Sequence, residues 1–242
     1  MSVQSGLPFP DIERLIRASN RAWELSEMCG DLQGEELIAK ALDAFGQRLT
    51  LVSSFGTEAA VLLHLVSRVD PGITVTFVDT RRLFGETLRY RDQLTEMLGL
   101  TDVRTVTPDP ARLKAVDPGE MLFSTDNNMC CYVRKVEPLE RALDGFDAWI
   151  TGRKAYQNDV RSFLPAVEAA GGRVKFNPLA RWTRDDLDTY FERHGLPRHP
   201  LEADGFLSVG CMPCTDRVAP GEDPRAGRWR GQDKTECGIH LT

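Results

Sequence analysis

The chain has 242 residues, of which 41% are hydrophobic and 27% charged, and this composition excludes a wholly disordered protein. Its formal net charge of −6 and its lack of a basic tract exclude binding of nucleic acid or of an anionic membrane by bulk electrostatics. No apolar run approaches the roughly 20 residues of a membrane-spanning helix, and the first residues lack a signal-peptide pattern, so we expect a cytoplasmic protein.

Two helices are predicted at the start of the chain. Apolar residues recur at helical spacing over residues 11–28 and again over residues 35–46. We therefore assign residues 1–46 to an N-terminal helical segment, for which the sequence indicates no role.

The chain then alternates between predicted strands and predicted helices. Strands are predicted at residues 49–53, 73–78, 103–106 and 148–151. Helices are predicted between them, at residues 58–68, 86–98 and 136–143. Such alternation is typical of a parallel sheet covered by helices on both faces. We therefore expect an α/β fold in which residues 47–208 form one domain.

The pattern changes after Gly171. One more strand is predicted at residues 174–176, and a capped helix at residues 183–194. From Pro197 onward, the chain is rich in proline, glycine and charge and shows little periodicity. We expect residues 209–242 to form an irregular, mobile C-terminal segment, which holds three of the six cysteines.

Four cysteines occur as two pairs. Cys130 and Cys131 are adjacent, and Cys211 and Cys214 form a C-x-x-C motif. In a cytoplasmic protein such thiols are metal ligands or catalytic groups more often than disulfides. Four thiolates suit an iron–sulfur cluster or zinc. Adjacent ligands are unusual around one zinc ion, so the spacing favours a cluster over zinc and over buried free thiols.

A further cysteine, Cys237, lies close to the C-terminus. Lys234 and His240 are near enough in sequence to favour its thiolate form. The local sequence fits a nucleophile and fits an incidental exposed thiol equally well. Cys29, at the end of the first predicted helix, has the setting of a small buried apolar residue.

Two kinds of sequence feature could hold an anion. The loop Ser53–Glu58 lies between a strand and a helix, where small residues leave backbone N–H groups free for a phosphate or sulfate. A plain βα turn explains that loop as well, because it is neither a Walker A nor a G-x-G-x-x-G motif. Basic residues also cluster at Arg134 with Lys135, Arg153 with Lys154 and Arg161, and Arg225 with Arg228.

Seven motifs in chain order resemble those of one enzyme family. They occupy residues 53–58, 79–87, 130–139, 148–153, 210–215, 225–229 and 236–240. Together they resemble the assimilatory adenylyl-sulfate reductases of bacteria, within the wider phosphoadenylyl-sulfate reductase family. The doubled cysteine, the C-x-x-C motif and the Glu-Cys-Gly-Ile-His ending are specific to it, whereas many nucleotide α-hydrolases share the serine-rich loop.

The resemblance implies an adenine nucleotide α-hydrolase-like fold and a role for each matching residue. A 4Fe–4S cluster would be bound by Cys130, Cys131, Cys211 and Cys214. Cys237, Lys135 and His240 would be the catalytic residues. Cys237 would be the nucleophile, Lys135 would lie between the cluster and the substrate, and His240 would contact the phosphosulfate. The nucleotide and its phosphosulfate would contact Ser53, Ser54, Gly56, Arg161, Arg225 and Arg228.

The reaction implied by the resemblance is reduction of adenylyl sulfate to sulfite and AMP. Cys237 would attack the sulfur atom, AMP would leave, and thioredoxin or a glutaredoxin-like dithiol would reduce the resulting S-sulfocysteine. Family members without the cluster cysteines generally prefer the 3′-phosphorylated nucleotide, so the four cysteines favour adenylyl sulfate. The sequence leaves open whether the chain is a monomer or a homo-oligomer.

The chain departs from the family pattern in two places. It has Gly85 and Leu88 where Pro and Tyr are common, and its segment 156–161 is shorter, so Arg161 aligns across a gap. Three other functions stay open: a reductase of the 3′-phosphorylated nucleotide, an ATP-dependent adenylating enzyme and a non-catalytic iron–sulfur sensor. The second lacks its usual Gly-rich loop here, and the third gives Cys237 no purpose.

Overall fold

The computed structural model describes residues 12–157, 163–232, 234, 238 and 239. Two helices open this part of the chain, α1 (Ile12–Cys29) and α2 (Gly34–Phe45). Both begin and end within one residue of the predicted bounds, because their apolar spacing is regular.

Six strands of the described residues form one sheet. They are β1 (Leu49–Ser53), β2 (Thr74–Val78), β3 (Val103–Val106), β4 (Ala148–Ile150), β5 (Val167–Ala170) and β6 (Arg173–Phe176). Their order is β3-β2-β1-β4-β6-β5, with every neighbouring pair parallel except β5 and β6. The predicted parallel sheet is therefore confirmed for five strands. The antiparallel edge strand β5 is not predicted, because four residues with two alanines carry little strand signal.

The remaining helices are α3 (Ala59–Val69), α4 (Gly85–Met97), α5 (Pro110–Val116), α6 (Leu122–Thr125), α7 (Asn127–Cys131), α8 (Glu137–Ala142) and α9 (Arg184–His194). The helix predicted at 136–143 begins further back, since a π-helical turn, Tyr132–Val136, joins α7 to α8. A capping box at Thr183 starts α9, as its sequence predicts. The short α5 and α6 escape prediction because neither completes an apolar repeat.

Helices cover both faces of the sheet and build two cores of unequal size. In the larger core, α2 and α3 pack with strand residues. Among these, Leu51 and Phe77 are fully buried. On the other face, α8 contributes Leu139, which packs with Trp149 of β4. Every residue of β2 is buried, as expected for a central parallel strand.

The strand order reverses at β1, which lies between β2 and β4. The chain runs from β1 to β2 on one side of this point and from β4 to β5 and β6 on the other, so the connections that leave β1 and β4 diverge. Open α/β sheets bind ligands in the crevice that forms at such a point. Ser53 therefore stands where the fold itself leaves room for a ligand.

Beyond α9 the described chain is irregular, as its composition predicts. It contains the 3₁₀ turns Pro200–Glu202 and Met212–Cys214. Isolated antiparallel bridges join Leu83 to Cys211 and Thr215 to Arg228. This segment therefore lies against the residues that follow β2. Throughout the described ranges, each helix is too short or too polar to cross a bilayer.

Candidate active site

A cavity of about 220 Å³ opens at the carboxyl ends of β1 and β4. Six residues predicted to bind substrate or assist catalysis line it: Ser53, Ser54, Gly56, Lys135, Arg225 and Arg228. They come from three separate parts of the chain. The fold thus brings together hydroxyl, backbone and cationic groups at the crevice of the sheet.

The loop after β1 is shaped by Phe55, whose backbone adopts a left-handed φ of 49°. Its buried ring packs edge-to-face on Phe77, with 5.3 Å between the ring centroids, and this packing offsets the strain. The Phe55 N–H donates to Ser53 Oγ at 3.2 Å. The turn leaves Ser54 and Gly56 lining the cavity beside the first turn of α3, a setting that suits an anion.

Two cations that line the cavity just after β4 have carboxylate partners within the fold. Arg153 contacts the carboxylate of Glu168 and donates to Asn177 Oδ1 at 3.3 Å. Lys154 Nζ lies 2.6 Å from Glu58 Oε2. Part of their positive charge is therefore neutralised before any ligand binds.

Glu58 is the carboxylate that holds Lys154 in place. Burial opposes its ionisation, but Lys154, Tyr156 and Arg184 outweigh burial and lower the pKa of Glu58 to about 2. The carboxylate is therefore ionised at neutral pH, and it holds Lys154 at the edge of the cavity.

Arg228 reaches the cavity from the C-terminal segment. Its Nη1 donates to Val209 O at 3.3 Å, and its guanidinium stacks 4.4 Å from the centroid of the Trp229 ring. Gly210 makes room for it, because a Cβ at that position would lie 2.3 Å from Arg228 Nη2. Gly210, the residue before Cys211, therefore leaves the space that the Arg228 guanidinium occupies.

The two basic residues that follow the doubled cysteine, Arg134 and Lys135, make different contacts. Arg134 is buried and donates to Asp117 Oδ2 at 2.8 Å and to Thr80 O at 3.3 Å. Lys135 instead lines the cavity. In the π-helical turn all four residues from Val133 to Val136 are buried, which one face of an α-helix cannot achieve. The turn thus anchors one cation and presents the next to the cavity.

The two cysteine pairs lie together beside this turn. Asn127 links them, since its Nδ2 donates to Cys214 Sγ at 3.2 Å and its Oδ1 lies 3.8 Å from Cys131 Sγ. The Thr80 hydroxyl lies 3.2 Å from Cys211 Sγ. Residues that are far apart in the sequence therefore converge on one buried thiol site.

Cys130 belongs to the same thiol site. Burial raises the pKa of Cys130 to about 11, and the thiols of Cys131, Cys211 and Cys214 add to that shift while Arg134 opposes it. A thiol with this pKa is protonated at neutral pH and is a poor nucleophile. A metal centre bound here would have to displace such protons, as metal–thiolate sites do.

The surroundings of the thiols bear on which metal they suit. Among the described positions, no three His, Cys, Asp or Glu side chains are arranged to hold a single metal ion. Trp229 Nε1 is buried without a hydrogen-bond partner in the described part of the chain, and its ring packs with Cys211 and Cys214. Such a donor suits sulfur that carries negative charge. Four thiols with such a donor beside them are compatible with an iron–sulfur cluster.

Three predicted residues, Cys237, His240 and Arg161, lie outside the described residues. Described residues lie on both sides of this cysteine in sequence. Lys234 hydrogen-bonds to the N-terminal end of α7, beside the thiol site. Ile239 lines the cavity. The described chain on the two sides of Cys237 thus lies at the thiol site and at the cavity.

Sequence reasoning missed the side chains that hold the site in place. Asn127 could have been found, because it lies four residues before Cys131 and so shares its helix face. Trp229 follows directly after Arg228 in a motif. Asp117 gave no signal, since its partner Arg134 lies 17 residues away and is brought to it only by the tertiary structure.

Comparison with known proteins finds one family. The model of the phosphoadenosine phosphosulfate reductase domain matches residues 48–217. The adenosine 5′-phosphosulfate reductase of Chelativorans sp. (strain BNC1) is 48% identical, over 93% of this chain and 93% of that protein. The protein of the same name from Mesorhizobium japonicum is 47% identical, over 92% and 88%. The phosphoadenosine 5′-phosphosulfate reductase of Gloeobacter violaceus is 41% identical, over 91% of each.

Solved structures confirm the predicted fold. The phosphoadenylyl-sulfate reductase of Candida auris, in its phosphate complex, has a TM-score of 0.68 and 23% identity, covering 80% of this chain and 95% of that one. The FMN adenylyltransferase of Candida glabrata, with FAD and pyrophosphate, has a TM-score of 0.54 and 13% identity, covering 97% and 81%. At these identities the likeness shows the fold alone.

Proposed function

The chain belongs to the phosphoadenosine phosphosulfate reductase family, and from that premise we propose that it reduces adenosine 5′-phosphosulfate to sulfite and AMP. One observation carries the proposal: the anion-suited cavity and the four converging cysteines adjoin one another. Lys135 joins the two, because it lines the cavity and acts electrostatically on Cys214. Two of the relatives described above bear the name of this activity.

The nucleotide would bind in the cavity with its phosphosulfate at the loop after β1. Ser53, Ser54 and Gly56 would supply hydroxyl and backbone donors there. Arg225, Arg228 and Lys135 would offset the negative charge of the phosphosulfate, and His240 and Arg161 would complete the set.

A 4Fe–4S cluster would be held by Cys130, Cys131, Cys211 and Cys214. When bound, it would supply a fixed charge distribution next to the substrate rather than electrons for the reaction. Asn127, Thr80 and Trp229 would donate hydrogen bonds to the sulfur atoms and so orient them.

The chemical step would fall to Cys237. Its thiolate would attack the sulfur atom of the sulfo group, the bond from that sulfur to the phosphate oxygen would break, and AMP would leave. One thiolate of thioredoxin or of a glutaredoxin-like dithiol would then attack the Cys237 sulfur and release sulfite. The second thiol of the partner would resolve the mixed disulfide, so the partner supplies both electrons.

Intact-mass measurement tests this proposal. Mixing the reduced enzyme with adenosine 5′-phosphosulfate, without a dithiol, should add one sulfonate to Cys237 and release one AMP per chain. The Cys29→Ser variant is the matched control and should form the same adduct, since Cys29 is buried in α1. A Cys237→Ser variant that keeps full activity would overturn the proposed chemistry.

A second substrate deserves a direct comparison, because the Gloeobacter violaceus relative is named for the 3′-phosphorylated nucleotide. We expect kcat/KM to be higher for adenosine 5′-phosphosulfate, given the four cysteines. A higher value for the 3′-phosphorylated nucleotide would reassign the substrate and leave the chemistry at Cys237 unchanged.

A further inference from the structure

A buried histidine lies next to the cavity and is not used by the proposed reaction. His199 is 1% exposed and precedes the 3₁₀ turn Pro200–Glu202. Its Nδ1 accepts a hydrogen bond from the Leu201 N–H at 3.2 Å. Its Nε2 lies 3.1 Å from the hydroxyl oxygen of Thr87.

These contacts fix the tautomer of the ring. Burial lowers the pKa of His199 to about 4, and Glu86 opposes that shift only in part, so the ring is neutral at pH 7. A neutral imidazole carries one proton, and Nδ1 is already an acceptor. The proton therefore lies on Nε2, which donates to Thr87 Oγ1.

The direction of the Thr87 hydroxyl follows from this donor. Thr87 lies in the first turn of α4, is buried and lines the cavity. Its oxygen accepts from His199, so its own proton remains to be donated. No acceptor for that proton is present among the residues that the structure describes. A buried hydroxyl without an acceptor is costly, and a ligand in the cavity would provide one.

The neighbours of Thr87 indicate which part of a ligand lies there. Val78 and Leu83 line the same cavity as Thr87, and both are apolar. The Thr87 and His199 pair is neutral, so it offers no charge to a phosphate. An apolar wall with one neutral donor suits a heterocyclic base better than a phosphosulfate.

We propose that Thr87 contacts the adenine base of the bound nucleotide, donating a hydrogen bond to a ring nitrogen, and that His199 is a positioning residue that aims the Thr87 hydroxyl at the base. This inference rests on the proposed function, because it takes an adenine nucleotide as the ligand. It assigns base recognition to a pair of residues from α4 and the C-terminal segment, separate from the loop after β1.

Calorimetric binding of AMP to the cluster-containing enzyme tests the pair. Thr87→Val keeps the shape of the side chain and removes the hydroxyl, so we expect AMP to bind about 3- to 10-fold more weakly. Thr87→Ser retains the hydroxyl and should bind AMP within twofold of the wild type. In turnover, Thr87→Val should raise KM for adenosine 5′-phosphosulfate and leave kcat within twofold.

The positioning role of His199 has its own variant. In His199→Asn the amide oxygen can still accept from the Leu201 N–H, but no donor reaches Thr87. AMP binding should weaken by less than in Thr87→Val, and adding His199→Asn to Thr87→Val should cause no further loss. Additive losses in the double variant would show that His199 affects AMP binding independently of Thr87, and would overturn its positioning role.

Base analogues identify the acceptor. If Thr87 donates to one ring nitrogen, the deaza-AMP that lacks this nitrogen should bind wild type and Thr87→Val equally. AMP binding unchanged by Thr87→Val would overturn this inference alone. Failure of the wild-type enzyme to bind AMP would overturn the proposed function as well, so the two failures are distinguishable.

Discussion

The two cysteine pairs reach the same site by different means. Cys130 and Cys131 lie on α7, whose N-terminus is capped by Asp126 and whose C-terminus runs into the π-helical turn. Cys214 ends the 3₁₀ turn Met212–Cys214, Cys211 directly precedes that turn, and contacts with other segments hold the turn in place. Its backbone pairs with residues after β2, where the Met212 N–H donates to Arg82 O at 2.7 Å.

The position of the first cysteine pair is therefore set mainly by local structure, and that of the second by long-range contacts. The helical pair has its spacing set by α7 itself, so its position depends on how that helix is anchored. The C-x-x-C pair depends on contacts with segments far away in the sequence, including the strand bridge between Thr215 and Arg228. Changes near the first pair should therefore affect helix docking, and changes near the second should affect the cavity as well.

The largest effect should come from removing one thiol of either pair. Cys131→Ser and Cys214→Ser each leave three ligands, so iron should fall from about four per chain to below one in anaerobically purified protein. An iron assay and the visible absorbance measure this, with Cys29→Ser as the control that keeps its iron. A full iron content in either variant would remove that pair from the cluster.

The second-largest effect should come from the ion pair between Asp117 and Arg134, which anchors the chain just after Cys130 and Cys131. Asp117→Asn leaves the buried Arg134 without its carboxylate, which should lower the free energy of unfolding by roughly 3 kcal/mol. Denaturant unfolding measures it. Asp147→Asn, which breaks an exposed pair with Arg48, is the matched control and should have a much smaller effect. Equal losses in the two variants would contradict the anchoring role.

The C-x-x-C pair is tested through Gly210. In Gly210→Ala the new Cβ would collide with the Arg228 guanidinium, so Arg228 should move and KM for adenosine 5′-phosphosulfate should rise about tenfold. Steady-state kinetics measure this. Gly119→Ala, where a Cβ meets nothing within 4 Å, should leave KM unchanged. An unchanged KM in Gly210→Ala would mean that Arg228 does not bind substrate.

The smallest effect concerns the link between the pairs. Asn127→Asp replaces an amide donor to Cys214 by a carboxylate, so iron should be lost to a chelator about threefold faster. Asn128→Asp introduces the same charge one residue away, where it faces Lys234, and should not speed iron loss. Equal rates for both variants would indicate a general charge effect instead of a lost hydrogen bond.

Much of the fold could be predicted because its signals are local. The run that forms β2 is rich in β-branched residues, and α9 carries its own capping box. The strand β5 could not be predicted, because an antiparallel edge strand of four residues depends on its neighbour β6. The π-helical turn also gave no signal, because a single turn with a wider repeat leaves no periodic pattern in the sequence.

The amino-acid order by itself determined the sheet class, the family and the thiols available for a metal, because periodicity and motifs are written in neighbouring residues. Only the tertiary structure decided which cations face the cavity. Arg134 pairs with Asp117, whereas its neighbour Lys135 lines the cavity, as does Lys154, which Glu58 holds from 96 residues away. Charge pairing depends on distance in space, which a linear motif does not encode.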